Sequence, residues 1–170
     1  DLVGLLVDTV ADARAAGPDH DWQLDLAVLE PPADATPEEA EDFLPEPPLV
    51  IGDEARLRQV VVNLLANARV HTPAGSHVTT TLAREGDTLI VRIHDDGPGI
   101  APEVRDRLFE RFARGDSSRE RRTGSTGLGM SIALAIVQSH GGSIDVDSST
   151  APEDHGTTFS IRLPAAVVEE

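Results

Sequence analysis

No cysteine occurs anywhere in this chain of 170 residues. Disulfides and thiolate-held metal sites are thereby excluded, and the composition suits a reducing cytosol. Lysine is missing too: all fourteen Lys+Arg positions are arginine. A phosphate-binding P-loop ends in Gly-Lys-Ser/Thr, so that route to a nucleotide is closed. Exclusive arginine usage is also what a GC-rich genome produces. No apolar run approaches the roughly 18 residues that a membrane helix requires. The opening at Asp1 has neither a methionine nor a signal-like character, as expected of a fragment cut from something longer. Positive charge is scarce overall. A formal charge of −16 argues against nucleic acid as the main partner, because phosphate backbones demand cations.

What remains is a chain with 39% hydrophobic residues, long enough for one domain (1–170) with a real core. Its cations are unevenly placed, seven of the fourteen lying between Arg105 and Arg122. In an acidic protein such a cluster points to a local anion site. The interleaved Glu110, Asp116 and Glu120 also allow a plain solvated helix-loop face.

Apolar residues at Val3, Leu6, Val7 and Val10 predict a helix over 2–15, ended by Gly17-Pro18. Trp22 to Leu29 alternates as a strand does. Residues 30–48, rich in proline and acids, read as a mobile insertion, either a tolerated surface loop or a docking surface. Leu49-Val-Ile51 reads as a short strand. Asp53 is an N-cap for a helix with the stripe Leu57, Val60, Val61, Leu64, Leu65 and Ala68, which His71-Thr-Pro-Ala-Gly75 stops. Two strands, 78–84 and 88–94, flank the turn Glu85-Gly-Asp87. A short helix follows over Pro102–Phe109. Residues 113–126 lack apolar periodicity and are expected to be mobile. Leu128, Ile132, Ala135 and Ile136 mark a further helix, ended by Gly141-Gly142. Strands close the chain at Ser143–Asp147 and Thr157–Leu163. Three main helices and about six strands predict one helical layer on a mixed sheet, an α/β two-layer sandwich.

Four short motifs stand out. In Asn63-Leu-Leu-Ala-Asn67 the two asparagines share a helix face, roughly opposite the apolar stripe. Asparagine is a poor interior helix residue, so stacking two needs a reason. A carboxamide oxygen suits Mg²⁺, which takes its other ligands from water and phosphate; a solvated polar face is the plain alternative. In Asp95-Asp-Gly97-Pro-Gly99 the carboxylate can accept a hydrogen from an adenine amino group, and the glycines permit close approach. An ordinary turn has the same composition. Phe109 and Phe112, in Phe-Glu-Arg-Phe, face one way on a helical turn, as core residues or as the anchor of a hinge. Gly124-Ser-Thr-Gly127-Leu-Gly129 precedes a helix, where free amides form an anion site, or else a simple hinge.

In this order the four motifs resemble the N, G1, F and G2 boxes of the sensor histidine kinase ATP-binding domain, whose superfamily includes gyrase, Hsp90 and MutL. The resemblance covers most of the chain. It implies the Bergerat-type α/β sandwich, with ATP and Mg²⁺ held between the helices and a lid near 101–126. Asn63 and Asn67 match the residues that bind Mg²⁺ and phosphate, and Asp95 matches the adenine-binding aspartate. Gly97, Gly99, Ile100, Thr126, Gly127, Leu128 and Gly129 match nucleotide-binding positions, and Arg114 a phosphate-contacting cation. Arg119, Arg121 and Arg122 are further lid cations.

Gln59, one turn before Asn63, stands where the hydrolytic relatives are expected to carry a general-base glutamate. An amide cannot take that proton, which favours transfer to a protein acceptor over hydrolysis; catalytic roles thus fall on Asn63, Gln59 and Arg114. Val70 departs from the pattern, since many such kinases have Lys or Arg there; Arg69, His71 or the lid must compensate. None of the six histidines begins the acceptor pattern His-Glu-x-x-Thr/Asn-Pro. The resemblance therefore implies the catalytic half of a homodimeric kinase, separate from its dimerisation domain and acting upstream of a response regulator. Its place would be cytoplasmic, within a membrane-anchored receptor. An ATPase of the gyrase or Hsp90 kind and a nucleotide-sensing docking module are the alternatives.

Overall fold

The computed structural model describes residues 1–110 and 129–167. Helix α1 (Leu2–Ala16) is capped by the Asp1 carboxylate, which accepts from Val3 N–H. Its buried side chains are Leu2, Leu5, Leu6, Thr9 and Val10, so the core stripe runs i, i+3, i+4, i+7/8. Val7 belongs to the other side and is 46% exposed. Strand β1 (Asp21–Asp25) is shorter than expected, because the chain tightens into a 3₁₀ turn at Ala27–Leu29.

Within 30–48 lies one helical turn, α2 (Pro37–Glu41), closed by a capping box between Thr36 and Glu39. Glu46 then pairs with Arg84. The expected strand at Leu49–Ile51 does not form. Pro48 O accepts from Leu2 N–H and Leu49 O from Ala166 N–H, single backbone bonds that tie both ends of the described chain without making a ladder. Ile51 is 82% exposed, so those apolar residues are no core strand.

Helix α3 (Glu54–His71) starts at Asp53, whose side chain accepts from Arg56 N–H. All six residues of the expected stripe, Leu57 to Ala68, are buried. Strands β2 (His77–Glu85) and β3 (Thr88–Asp95) form a hairpin around Gly86, which takes φ +58°. A short helix α4 (Pro102–Arg105) follows, and α5 (Gly129–Ser139) resumes after residue 128. The buried face of α5 is Ala133, Ile136 and Val137. Ile132 and Ala135 are exposed, so the stripe is displaced by one position from the expected phase. Strands β4 (Ser143–Ala151) and β5 (Asp154–Pro164) complete the sheet.

The sheet has five strands among the described residues, not about six, in the order β1-β2-β3-β5-β4. The β1–β2 pair is parallel and the other three pairs are antiparallel. Helices α1, α3 and α5 contribute buried residues to one apolar cluster with the sheet, among them Leu6, Leu64, Leu82, Leu89 and Val137. Two layers on a mixed sheet is the expected architecture. His140 ties the end of α5 to the start of α3: Asp53 N–H donates to its Nε2 at 3.0 Å. Nδ1 therefore carries the proton and donates to Ile136 O at 2.7 Å.

Candidate functional site

The end of α3, the loop after β3 and the middle of β5 enclose a cavity of about 280 Å³, close to the roughly 300 Å³ at which small-molecule sites begin. Its polar groups come from Asn67, His71, Thr72, Asp95 and Thr157, and its apolar walls from Ile100, Val104, Leu108 and Phe159. Of the predicted residues, Asn67, Asp95, Gly99 and Ile100 meet there.

Asp95 is the last residue of β3, opposite Thr157 in the β3–β5 register. It is only 8% exposed. Its Oδ1 accepts from Gly97 N–H at 3.0 Å. Burial pushes the carboxyl above its ordinary range, with that N–H pulling the other way. A buried carboxylate with an oxygen to spare is a specific acceptor for a ligand N–H. The glycines around it are sterically required. A Cβ on Gly97 would meet the Thr72 methyl and stand 2.9 Å from Asp95 Oδ1. Gly99 has φ +80°, and a Cβ there would fall on the Ser149 carbonyl oxygen.

Asn63 and Asn67 are half-buried on the flank of α3, not opposite its stripe. Neither carboxamide hydrogen-bonds another described residue. Asn67 lines the cavity, whereas Asn63 lies beside the start of α5: a Cβ on Gly129 would stand 3.8 Å from its Nδ2. Two unengaged amide oxygens one turn apart fit a hard cation such as Mg²⁺. Gln59 is exposed and does not line the cavity. Arg114, Thr126, Gly127 and Leu128 lie outside the described residues, as do Phe112, Arg119, Arg121, Arg122 and most of the expected lid.

The two compensating candidates near Val70 separate. The stem of Arg69 packs at Gly17, where a glycine Cβ would stand 2.7 Å from its Cδ. His71 lines the cavity. The other five histidines hold structural partners: His20 with Thr72, His77 with Asp96, His94 with Thr158, His140 with Asp53 and Ile136, His155 with Gly97 O. At Asp96, burial pushes the carboxyl up, but His77, through its backbone N–H and its ring, outweighs it and holds the carboxyl below the ordinary range.

The family described as histidine kinase-, DNA gyrase B-, and HSP90-like ATPase matches residues 52–167, every described element of this cavity included. The chain belongs to that family. It is homologous to the catalytic ATP-binding domain of sensor histidine kinases. "Probable sensor histidine kinase TcrY" of Mycobacterium tuberculosis is 48% identical over 164 residues, covering 96% of this chain and 30% of that protein. The mycobacterial sensor histidine kinase MprB has a solved structure with a TM-score of 0.77 at 29% identity, covering 99% of this chain and 98% of that one. Full-length ShkA in complex with AMPPNP gives 0.71 at 26% identity, over 100% of this chain and 31% of that one. The chain thus spans about 30% of the curated relatives' length.

Sequence reading missed part of this family's cavity. Thr157 and Phe159 enter it only because β5 pairs with β3 in this register. Val104 and Leu108, four apart after Pro102, carried an apolar signal that went unused. No helix among the described residues is long and apolar enough to cross a membrane.

Proposed function

We propose that the cavity binds Mg-ATP and that the domain donates the γ-phosphate to a histidine on a separate dimerisation domain of the same kinase. The observation that carries this is the buried Asp95, with one oxygen held by Gly97 N–H and its cavity shared with Asn67 and His71. Asp95 accepts the adenine amino hydrogen. Gly97, Gly99 and Ile100 shape the base pocket. Asn63 and Asn67 hold Mg²⁺, which supplies charge neutralisation among the phosphate oxygens. His71 faces the phosphates in place of the basic residue missing at Val70. Arg114 and the segment Thr126-Gly127-Leu128-Gly129 complete the phosphate contacts by their match to the family's motifs. During transfer a ring nitrogen of the acceptor histidine bonds to Pγ as the Pγ–O bond to ADP breaks. The protein contributes positioning and charge stabilisation. The whole protein is proposed to be a homodimer, anchored in a membrane with this domain in the cytoplasm and acting on a response regulator.

The test is incubation with γ-labelled ATP and Mg²⁺, with and without a supplied dimerisation domain. Acid-labile label should appear on that domain's histidine and not on this chain, whose own histidines hold structural partners or face the cavity. Rapid phosphate release with no labelled acceptor would favour an ATPase of the gyrase or HSP90 kind. Binding without either reaction would favour a nucleotide-sensing module.

A further inference from the structure

The loop Asp95–Ile100 carries the acceptor for adenine, yet its glycines leave it few side chains with which to fix itself. At its start Asp96 is tied to His77 of β2; beyond that, its restraints come from the β4–β5 hairpin. Ile100 N–H donates to Ser148 Oγ at 2.8 Å, and that hydroxyl is itself placed by Gly156 O at 2.9 Å and Thr157 Oγ1 at 2.8 Å. On the other side His155 Nδ1 lies 2.6 Å from Gly97 O. A carbonyl only accepts, so Nδ1 carries the proton and donates. The backbones also touch: Gly99 lies on the Ser149 carbonyl, and a Cβ on Gly156 would stand 2.5 Å from Asp95 O.

We infer that His155 is a positioning residue of the nucleotide site: by holding the Gly97 carbonyl it sets the turn that aims the Asp95 carboxylate into the cavity. Gly97 N–H donates to Asp95 Oδ1, and the Gly97 carbonyl, in the next peptide plane, is held by His155, so the turn is pinned on both sides of the Gly97 Cα. His155 does not line the cavity. It acts through the loop, and its effect falls on the adenine end.

This inference rests on the ATP-site reading, and the test separates the two. ADP affinity is measured by calorimetry for the wild-type chain, His155→Ala and His155→Asn, with inorganic triphosphate as a competitor lacking adenine. Asparagine can present an amide N–H near the place of Nδ1. His155→Ala should bind ADP about threefold to tenfold more weakly, the loss of one hydrogen bond. His155→Asn should return to within about twofold of wild type, and triphosphate affinity should stay the same in all three. A wild-type chain that binds no ADP would sink the ATP-site reading itself. If wild type binds ADP and His155→Ala binds it equally well, the positioning role is wrong. It is equally wrong if ADP and triphosphate weaken together, since a general structural role then accounts for the loss, or if Asn fails to restore affinity while melting temperatures match, since the loss then does not follow from the missing hydrogen bond.

Discussion

Asp95→Asn should make the nucleotide-free protein more stable and cut the further stability that nucleotide binding adds. The buried carboxyl has a raised pKa, so the folded state binds its proton more tightly than the unfolded chain does. Between the ordinary carboxylate value and the raised one, the folded state holds more protons, and stability falls as pH rises. The deficit is complete above the raised pKa and persists at neutral pH. Asparagine removes it and keeps an oxygen for Gly97 N–H. The variant should therefore melt at a higher temperature than wild type at pH 7. That advantage should shrink toward pH 3, where the carboxyl is protonated in both states.

Binding moves the other way. With its oxygen held by Gly97, the new amide turns N–H toward the adenine amino group, donor against donor. Losing a hydrogen bond to a charged acceptor costs about 1.5–3 kcal/mol, on the order of tenfold to a hundredfold in Kd. At ADP equal to 100 times the wild-type Kd, wild type gains about 2.7 kcal/mol of stability. The variant at that concentration should gain only about 1.4 down to about 0.4 kcal/mol. Thermal melts with and without ADP, at pH 7 and pH 3, read both halves. An unchanged ADP shift removes Asp95 from the adenine site, and a nucleotide-free variant that melts lower at pH 7 refutes the burial argument.

Gly99→Ala should cost at least about 1–2 kcal/mol from its left-handed φ alone and abolish most ADP binding, because its Cβ meets Ser149 O. Gly75→Ala, at φ +87° but with nothing within 4 Å, is the control and should lose stability while binding normally. His71→Ala should weaken a non-hydrolysable ATP analogue about threefold to tenfold and ADP less; equal effects would leave the vacancy at Val70 without a substitute. Arg114→Ala should impair transfer to a supplied dimerisation domain more than ADP affinity, and parallel losses in the two assays would remove it from the γ-phosphate.

Helix α3 was legible because its caps and its period of 3.6 agree: Asp53 starts it, and the residues from Leu57 to Ala68 fall on one buried face. The β2–β3 hairpin was legible for the same reason, alternation meeting a glycine turn. Shorter patterns misled. Three apolar residues at 49–51 look like a strand, but among the described residues no ladder forms with them beyond the single bond from Ala166 N–H to Leu49 O. On α5, Ile132 and Ala135 are as apolar as Ala133 and Val137, and only packing against α3 and the sheet selects the face. At the site, Asp95, Gly97 and Gly99 announced themselves because left-handed torsion and close approach require glycine. Thr157, Phe159 and His155 did not, since their place depends on which strand lies beside β3.

That dependence divides the supports of the proposed nucleotide site. The base end rests on the sheet: Asp95 and Thr157 are cross-strand partners, and Ser148 and His155 reach the loop from the same hairpin. The phosphate end rests on helices, with Asn63 and Asn67 on α3 and Gly129 opening α5 beside Asn63. Only α3 serves both, through Thr72 against Gly97 at its end and the asparagines along its flank. A lesion on the sheet side should weaken ADP and ATP alike, because the two share an adenine. A lesion on the helix side should act in proportion to the phosphates present. The ratio of ADP to ATP-analogue affinity therefore locates each residue in the proposed site, and Asp95→Asn and His71→Ala should fall on opposite sides of it.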